Sequence, residues 1–304
     1  MEGTRMDLIA AVRKSVRGGL CALGRDFLAP VVAGYARRPE TAEIPITVHL
    51  LLSRPSWKMG LLAFHSFEHF TGRRWRLFIH DDGSLDGAAR AALNASLPGA
   101  RWVDRAEADQ RVLKLLKNHP ACRRHRAGNI YSLKFFDSLA FAPESHYVVL
   151  DADVLFYAPA REITAWADTR PAECWFNQEE KESYGAPRAE IDEGLGIPLW
   201  QRVNSGLSLV CRRAMSLEWS EKFLSLCEQR GWNQHVLEQA LFAVSASAFG
   251  QGGVLPTTYE ISTRILHRRG SVCRHYVGPF KNDILYVEGP ANLLLKMIVA
   301  RKFA

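Results

Sequence analysis

The sequence predicts an α/β fold: a single doubly wound, Rossmann-like domain around a mostly parallel central sheet. Three observations carry this expectation. From residue 44 onward, apolar β-rich runs alternate with stretches of helical periodicity, the order that right-handed strand–helix–strand crossovers require. Two of the apolar runs end in acidic loops, at Asp81-Asp82 and at Asp151 to Asp153, where such a sheet collects its ligands. The chain's 304 residues, 47% hydrophobic and 23% charged, have an ordinary globular composition with material for a sizeable core.

The elements follow in order. Residues 1 to about 40 read as helical and basic, with Leu8, Ile9, Val12, Val16 and Leu20 on one face. "IPITVHLLLS" (44–53) is a strand stopped by Arg54-Pro55. "SWKMGLLAFHSFEHF" has helical spacing, and a second strand (75–79) ends in "HDDGSLDG" before the helix "AARAALNASL". "KLLKNHPACRRHR" reads as a solvated basic loop; His119, Cys122 and His125 within it lack a nearby fourth ligand for structural zinc. "GNIYSLKFFDSLAFA" is helical up to Pro143 and precedes the strand "YVVLDADVLFY". Residues 173–201 are loop-rich, acidic and aromatic, and Trp175 there is the tryptophan best placed to stack on a sugar. The strand "SGLSLVCR", two helical segments, "RHYVGPFKNDILY" and the basic amphipathic "NLLLKMIVARKFA" complete the chain. The expected organisation is a basic N-terminal segment (1–43), a domain (44–288, split into halves 44–155 and 156–288) and a C-terminal helix (289–304).

Charge and composition narrow the partners. A net charge of +7 favours phosphates, nucleotides or acidic lipid surfaces. Nucleic acid is not expected, because the basic stretch has no interleaved aromatic platform and no helix-turn-helix or zinc module. No apolar run nears the roughly 18 residues that span a bilayer, and the start lacks a secretory signal's apolar core. Six scattered cysteines without a Cys-x-x-Cys pair read as reduced thiols of a cytoplasmic protein. The two amphipathic ends admit two readings, a peripheral contact with the cytoplasmic face of a membrane or packing against the core.

Asp151 and Asp153 are the chemical signal. Residues two apart on a strand project to one face, and two carboxylates so close repel unless a cation sits between them. Oxygen ligands suit Mg²⁺ or Mn²⁺, which complete their shells with water and substrate phosphates. A turn cap is the competing structural reading. A phosphatase of the haloacid dehalogenase type would use such a pair as nucleophile and acid/base. Here, however, the pair lies in mid-chain, and Leu155 stands where that family places Thr or Val.

In this setting the chain resembles the GT-A class of nucleotide-sugar glycosyltransferases over about residues 45 to 285. The Asp-Ala-Asp strand looks like that class's metal motif, and "HDDGSLDG" is similar to the second-strand loop of its large inverting family. "VNSGLSLV", "LEQALF" and "HYVGPFK" resemble segments of the retaining, glycogenin-like enzymes. The resemblance implies a metal held by Asp151, Asp153 and His275. It implies a donor site from Ser53, Asp81, Asp82, Lys134, Asp151, Asp153, Ser205, Gly206, Gly278 and Lys281. Asn204, Glu238 and Gln239 would surround the transferred sugar. An imidazole beside two carboxylates suits Mn²⁺ better than Mg²⁺, and Lys281 supplies a point charge for the diphosphate.

The implied activity is transfer of a sugar from a nucleotide-sugar, UDP-sugar foremost, to a glycan or lipid-linked acceptor. Stereochemistry stays open between a retaining mechanism at Asn204, Glu238 and Gln239 and an inverting one. The latter needs a carboxylate base, for which Glu179, Glu180, Asp192 and Glu193 are candidates.

Overall fold

The computed structural model describes residues 15–36, 41–232, 237–264, 269–279 and 281–302. Leu8, Ile9 and Val12 of the expected N-terminal helix, and the start of the helical segment at 233–236, lie outside these residues.

The central sheet has seven strands in the order β3-β2-β1-β4-β7-β6-β8. β1 (Glu43–Leu52), β2 (Arg74–Asp81), β3 (Arg101–Val103) and β4 (His146–Leu150) are mutually parallel. β7 (Val203–Cys211) runs antiparallel to β4, β6 (Cys174–Gln178) antiparallel to β7, and β8 (Gly252–Val254) parallel to β6. The sheet is thus mostly parallel, as expected, with a reversal at β4/β7. A second sheet, β5-β10-β9, joins β5 (Val154–Phe156), β10 (Cys273–Tyr276) and β9 (Tyr259–Ser262). β10 pairs antiparallel with β5, placing His275 opposite Val154, one residue beyond Asp153.

Helices cover both faces over two apolar cores. On one side, α1 (residues 15–35, with a π-helical stretch Leu23–Leu28) and α2 (Trp57–Thr71) precede α3 (Gly87–Ser96). The backbone of α2 meets β1 closely at Gly60, where a Cβ would lie 2.3 Å from Leu52 Cδ2. Asp86 caps α3 by accepting from the Ala89 N–H. α4 (Arg105–Leu115), α5 (Pro120–Gly128), a 3₁₀ turn at Ile130–Ser132 and α6 (Leu133–Phe141) lead into β4. α7 (Arg161–Thr169), α8 (Arg188–Leu195), α9 (Leu217–Arg230), α10 (Leu237–Phe249) and α11 (Lys281–Lys302) complete the set. α11 runs without interruption through residues 288 and 289, so the expected boundary there falls inside one helix.

The expected solvated loop at 114–126 is not found. Most of it is helical, and Cys122, His125 and Arg126 are buried. Pro120 opens α5 at a position that needs no N–H. Glu221 then accepts from the Ala121 and Cys122 N–H groups, capping the helix. Arg126 is drawn inward by Asp137, Nε to Oδ1 2.8 Å, and by Asp109 at 2.9 Å. Partnered charge, which a one-dimensional charge run does not show, buries this segment.

Candidate active site

Asp151 leaves the carboxyl end of β4 and Asp153 immediately precedes β5. The Asp151 N–H donates to Gly206 O at 2.7 Å, and the Tyr276 N–H donates to Asp153 O at 2.9 Å. These backbone bonds tie the aspartates to β7 on one side and β10 on the other. Nine residues beyond Gly72, where α2 ends in a left-handed turn, β2 delivers the Asp81–Asp82 loop to the same end of the sheet.

Asn204 sets the hydrogen-bond polarity of the site. Its Oδ1 accepts from the Gly206 N–H at 2.8 Å, and its Nδ2 donates to Glu179 Oε1 at 2.6 Å and Gln239 Oε1 at 2.9 Å. The same Oδ1 stands 3.0 Å from His275 Nδ1. An oxygen can only accept, so Nδ1 carries the imidazole proton. Nε2 then faces the carboxylates, 3.2 Å from Asp153 Oδ1 and 3.8 Å from Asp151 Oδ2. Gly206 makes this approach possible, since a Cβ there would sit 2.4 Å from two ring atoms of His275.

One ligand atom each from Asp151, Asp153 and His275 lie within 4.8 Å of one another, the one such cluster among the described residues. Asp153 Oδ1 is buried and faces His275 Nε2 at 3.2 Å, a pairing that a cation between them would satisfy. Two carboxylates and an imidazole whose outer nitrogen is already protonated fit a divalent ion.

Cations flank the triad. Lys134 on α6 contacts both Asp151 carboxylate oxygens at 3.0 Å and Glu238 Oε1 at 2.5 Å. Lys281, at the first turn of α11, donates to Asp153 Oδ2 at 2.5 Å. Burial works against both ammonium groups, but Asp151 and Glu238 around Lys134, and Asp153 beside Lys281, hold their pKa values above the ordinary range. Burial likewise opposes ionisation of Asp153, and the His275 and Lys281 charges overcome it, keeping that carboxyl well below its usual range. For His275 burial is again outweighed, by Asp153 and then Asp151, and its pKa is raised.

The cleft has two lobes that share Tyr131, Lys134, Asp151 and Lys281. The first, about 440 Å³, is lined by Ser53, Asp82, Ser84 and Asp153. The second, about 540 Å³, reaches Asn204, Ser205, Glu238, Gln239 and Gly278. Both open at the carboxyl ends of the parallel strands. A cavity of about 570 Å³ beside Glu144, Ser145 and Arg212 lies at the opposite end of β4 and contains none of these groups.

The structure therefore gathers most of the residues named from sequence. Ser205 donates to Glu238, and Gln239 Nε2 donates to Ser183 O at 3.0 Å. Gly278 adopts φ +89°, a conformation suited to glycine. Asp81 stands apart. It is buried, accepts from the Gly83 N–H at 2.7 Å and pairs with Arg90 at 2.5 Å, so it shapes the loop while Asp82 lines the cleft. Among the candidate bases, Glu179 reaches Asn204, whereas Asp192 accepts from the Leu199 N–H and pairs with Arg188. Trp175 is elsewhere, its indole N–H donating to Glu173 in a separate cavity beside Trp166.

Sequence reading passed over Tyr131, which is 60% exposed and borders both lobes. "GNIYSLKFF" reads as unbroken helix. The overlooked signal is Asn129, whose side chain accepts from the Tyr131 N–H and sets the 3₁₀ turn.

No protein-family model matches the chain, and no curated protein matches it in sequence. Solved structures share its fold. Mouse xyloside xylosyltransferase 1 in its apo form aligns with a TM-score of 0.52 at 13% identity, over 77% of this chain and 97% of that one. The galactosyltransferase LgtC, in complex with donor and acceptor sugar analogs, aligns with a TM-score of 0.55 at 15% identity, over 84% and 96%. An active-site mutant of LgtC aligns at 0.51 and 13% identity, over the same 84% and 96%. The fold is that of the GT-A nucleotide-sugar glycosyltransferases.

Proposed function

We propose that this GT-A-fold protein is a metal-dependent hexosyltransferase of the cytoplasm. In this reading it moves a sugar from a nucleotide-sugar, UDP-sugar foremost, to a glycan or lipid-linked acceptor with retention at the anomeric carbon. Residues 44–288 would carry the substrate sites, 44–155 for the nucleotide and 156–288 for the acceptor, with α11 running on past residue 288 as one helix. The observation that carries the reading is the Asp151–Asp153–His275 cluster between two lysines at the carboxyl ends of the strands. That LgtC was solved with donor and acceptor sugar analogs supports a fold able to hold both substrates.

The roles follow from position. Ser53 and Asp82 line the lobe that takes the nucleoside, and the loop held by Asp81 closes it. Lys134 and Lys281 meet the diphosphate. Asn204, Ser205, Glu238 and Gln239 border the lobe that takes the sugar, while Gly206 and Gly278 leave room for His275 and for close backbone approach. A divalent ion held by Asp151, Asp153 and His275, Mn²⁺ in preference to Mg²⁺ given the nitrogen ligand, would stabilise charge on the departing diphosphate. Lys281 adds fixed positive charge where the leaving group becomes negative. Glu238 is pinned by Lys134 and Ser205, which suits it to orient the sugar. In a retaining transfer the leaving phosphate accepts the acceptor's proton, and no protein base is required.

An inverting reading has one observation in its favour, the reach of Glu179 to Asn204, which places a carboxylate at the edge of the sugar lobe. The tests are direct. UDP-, GDP- and dTDP-sugars are screened for hydrolysis with and without Mn²⁺, and UDP plus Mn²⁺ raises the melting temperature through linkage. Asp153→Ala abolishes that rise; an undiminished rise in this variant would sink the metal bridge. NMR of the product's anomeric configuration decides the stereochemistry, and a Glu179→Gln variant that keeps turnover excludes Glu179 as the inverting base.

A further inference from the structure

Twelve large apolar side chains are exposed among the described residues, and eight of them lie on just two helices. On α1 these are Val16, Leu20, Leu23, Phe27 and Val31, spaced by four, three, four and four residues, which is one helical face. On α11 they are Leu295, Ile298 and Val299, again a single face. The exposure is large: 57% for Val16, 63% for Phe27 and 59% for Leu295.

These helices are not loose ends awaiting a place on the core, because their other faces are already docked. Ala29, Val32, Leu293 and Met297 are buried in the same apolar cluster. Gly24 abuts α11 so closely that a Cβ there would lie 1.7 Å from Tyr286 O. Arg17 pairs with Asp283 at 2.8 Å, and Lys58 on α2 pairs with Asp26 at 2.7 Å. The two readings of the amphipathic ends are therefore compatible: the helices pack on the protein and still present an apolar stripe outward.

The charge around the stripe indicates what covers it. Asp26 on α1 and Asp283 on α11 are engaged by Arg25, Lys58 and Arg17. Lys296 is exposed among the apolar residues of α11, and Arg301 and Lys302 follow it in sequence. Arg13 and Lys14 precede the stripe of α1 in sequence. An apolar strip with basic neighbours is complementary to a bilayer surface bearing anionic headgroups, which attract each Lys or Arg while the acyl boundary takes the apolar side chains. A second copy of the chain would bring the same positive charge against itself.

We infer that α1 and α11 together form a platform that docks this protein on an anionic membrane surface. The platform is continuous with the cleft. A cavity bordered by Cys21, Arg25, Lys58 and Tyr286 shares Pro55 and Asn282 with the first lobe, and α11 itself begins with Lys281.

The test is co-sedimentation of the full chain with vesicles of phosphatidylcholine alone or mixed with phosphatidylglycerol. The expected result is recovery with the mixed vesicles at least tenfold above that with phosphatidylcholine, reduced by high salt. Phe27→Glu with Leu23→Glu, and separately Leu295→Glu with Ile298→Glu, lower it at least tenfold while leaving the melting temperature in place. Equal recovery on both vesicle types, or undiminished recovery of both variants, overturns the inference. So does a vesicle-free dimer in sedimentation velocity that Phe27→Glu with Leu23→Glu dissolves. The readout needs no nucleotide, so loss of the UDP–Mn²⁺ melting shift would count against the transferase reading and leave the docking result standing.

Discussion

Arg274, fully buried on the strand that carries His275, donates through Nη1 to Glu288 Oε1 at 2.5 Å on the helix that begins with Lys281. Glu288 also accepts from Tyr276 Oη at 2.7 Å, which in turn meets Tyr157 Oη at 2.5 Å. One buried ion pair thus ties β10 to α11, and with them the imidazole and the ammonium that face Asp153.

Removing one partner of that pair strands a charge in the core. Glu288→Ala is expected to cost about 3–5 kcal/mol of stability. The double change Arg274→Met with Glu288→Leu recovers most of it, because no charge then remains to be desolvated. Urea unfolding of the three proteins checks this; a double variant no more stable than Glu288→Ala would contradict it.

Gly206→Ala tests the seating of His275. The added methyl meets the imidazole and not the backbone, so the ring moves while the strand stays. On the proposed metal reading, Mn²⁺ affinity should fall at least tenfold, one of three proposed ligands being displaced, with cooperative unfolding kept. Mn²⁺ titration by electron paramagnetic resonance reads this, and wild-type affinity in the variant would refute the seating role.

On the proposed reading, Lys281→Met removes a charge-assisted contact to the diphosphate worth about 1.5–3 kcal/mol. UDP binding by calorimetry should weaken by roughly ten- to a hundredfold, while uridine itself binds as before. Equal losses for UDP and uridine would place Lys281 elsewhere in the mechanism.

Acid sensitivity is expected from a pair of histidines buried within the central sheet. His49 Nδ1 lies 2.8 Å from His80 Nε2 between β1 and β2. Burial pushes His49 well below its ordinary 6.5, and burial, with Arg101 and Arg126 adding to it, brings His80 to about 3. Both are neutral when folded, so the unfolded chain takes up more protons below its own value near 6.5. Their contribution is complete above that pH and is lost as pH falls toward 3, at about 1.4 kcal/mol per pH unit for each histidine. Urea midpoints at pH 7.5, 6 and 5 measure the slope, and His80→Gln should flatten it; an unchanged slope would exclude the pair.

Legibility in the sequence followed contact range. β1, β2, β4 and β7 carry apolar stretches that could be found locally, as could the His275–Gly278–Lys281 spacing and the paired aspartates, although these lie in the break between β4 and β5 and not on one strand. The three- and four-residue strands β8, β9 and β10 could not, since their pairing is decided by distant partners. Arg274 carries no local sign of burial, yet it is fully buried against Glu288 on α11. Asp81 and Asp82 are adjacent and alike in sequence; only the turn that puts Arg90 and the Gly83 N–H on Asp81 separates their tasks. Trp175 sits in the acidic segment where a sugar platform is expected, but it lines a separate cavity with Trp166, Leu209 and Leu255, away from Asn204.

The pairing of β10 with β5 also orders events in time. During synthesis the two aspartates emerge midway, and the chain folds from its earlier parts first. Until β10 enters between β5 and β9, those carboxylates have neither imidazole nor the Lys281 ammonium opposite them. This closure joins segments far apart in sequence, the kind of contact that forms slowly. On the proposed reading, a nascent or truncated chain that has collapsed around β1 to β4 still lacks a complete nucleotide site. On that reading, donor capture reports that the last strand has arrived.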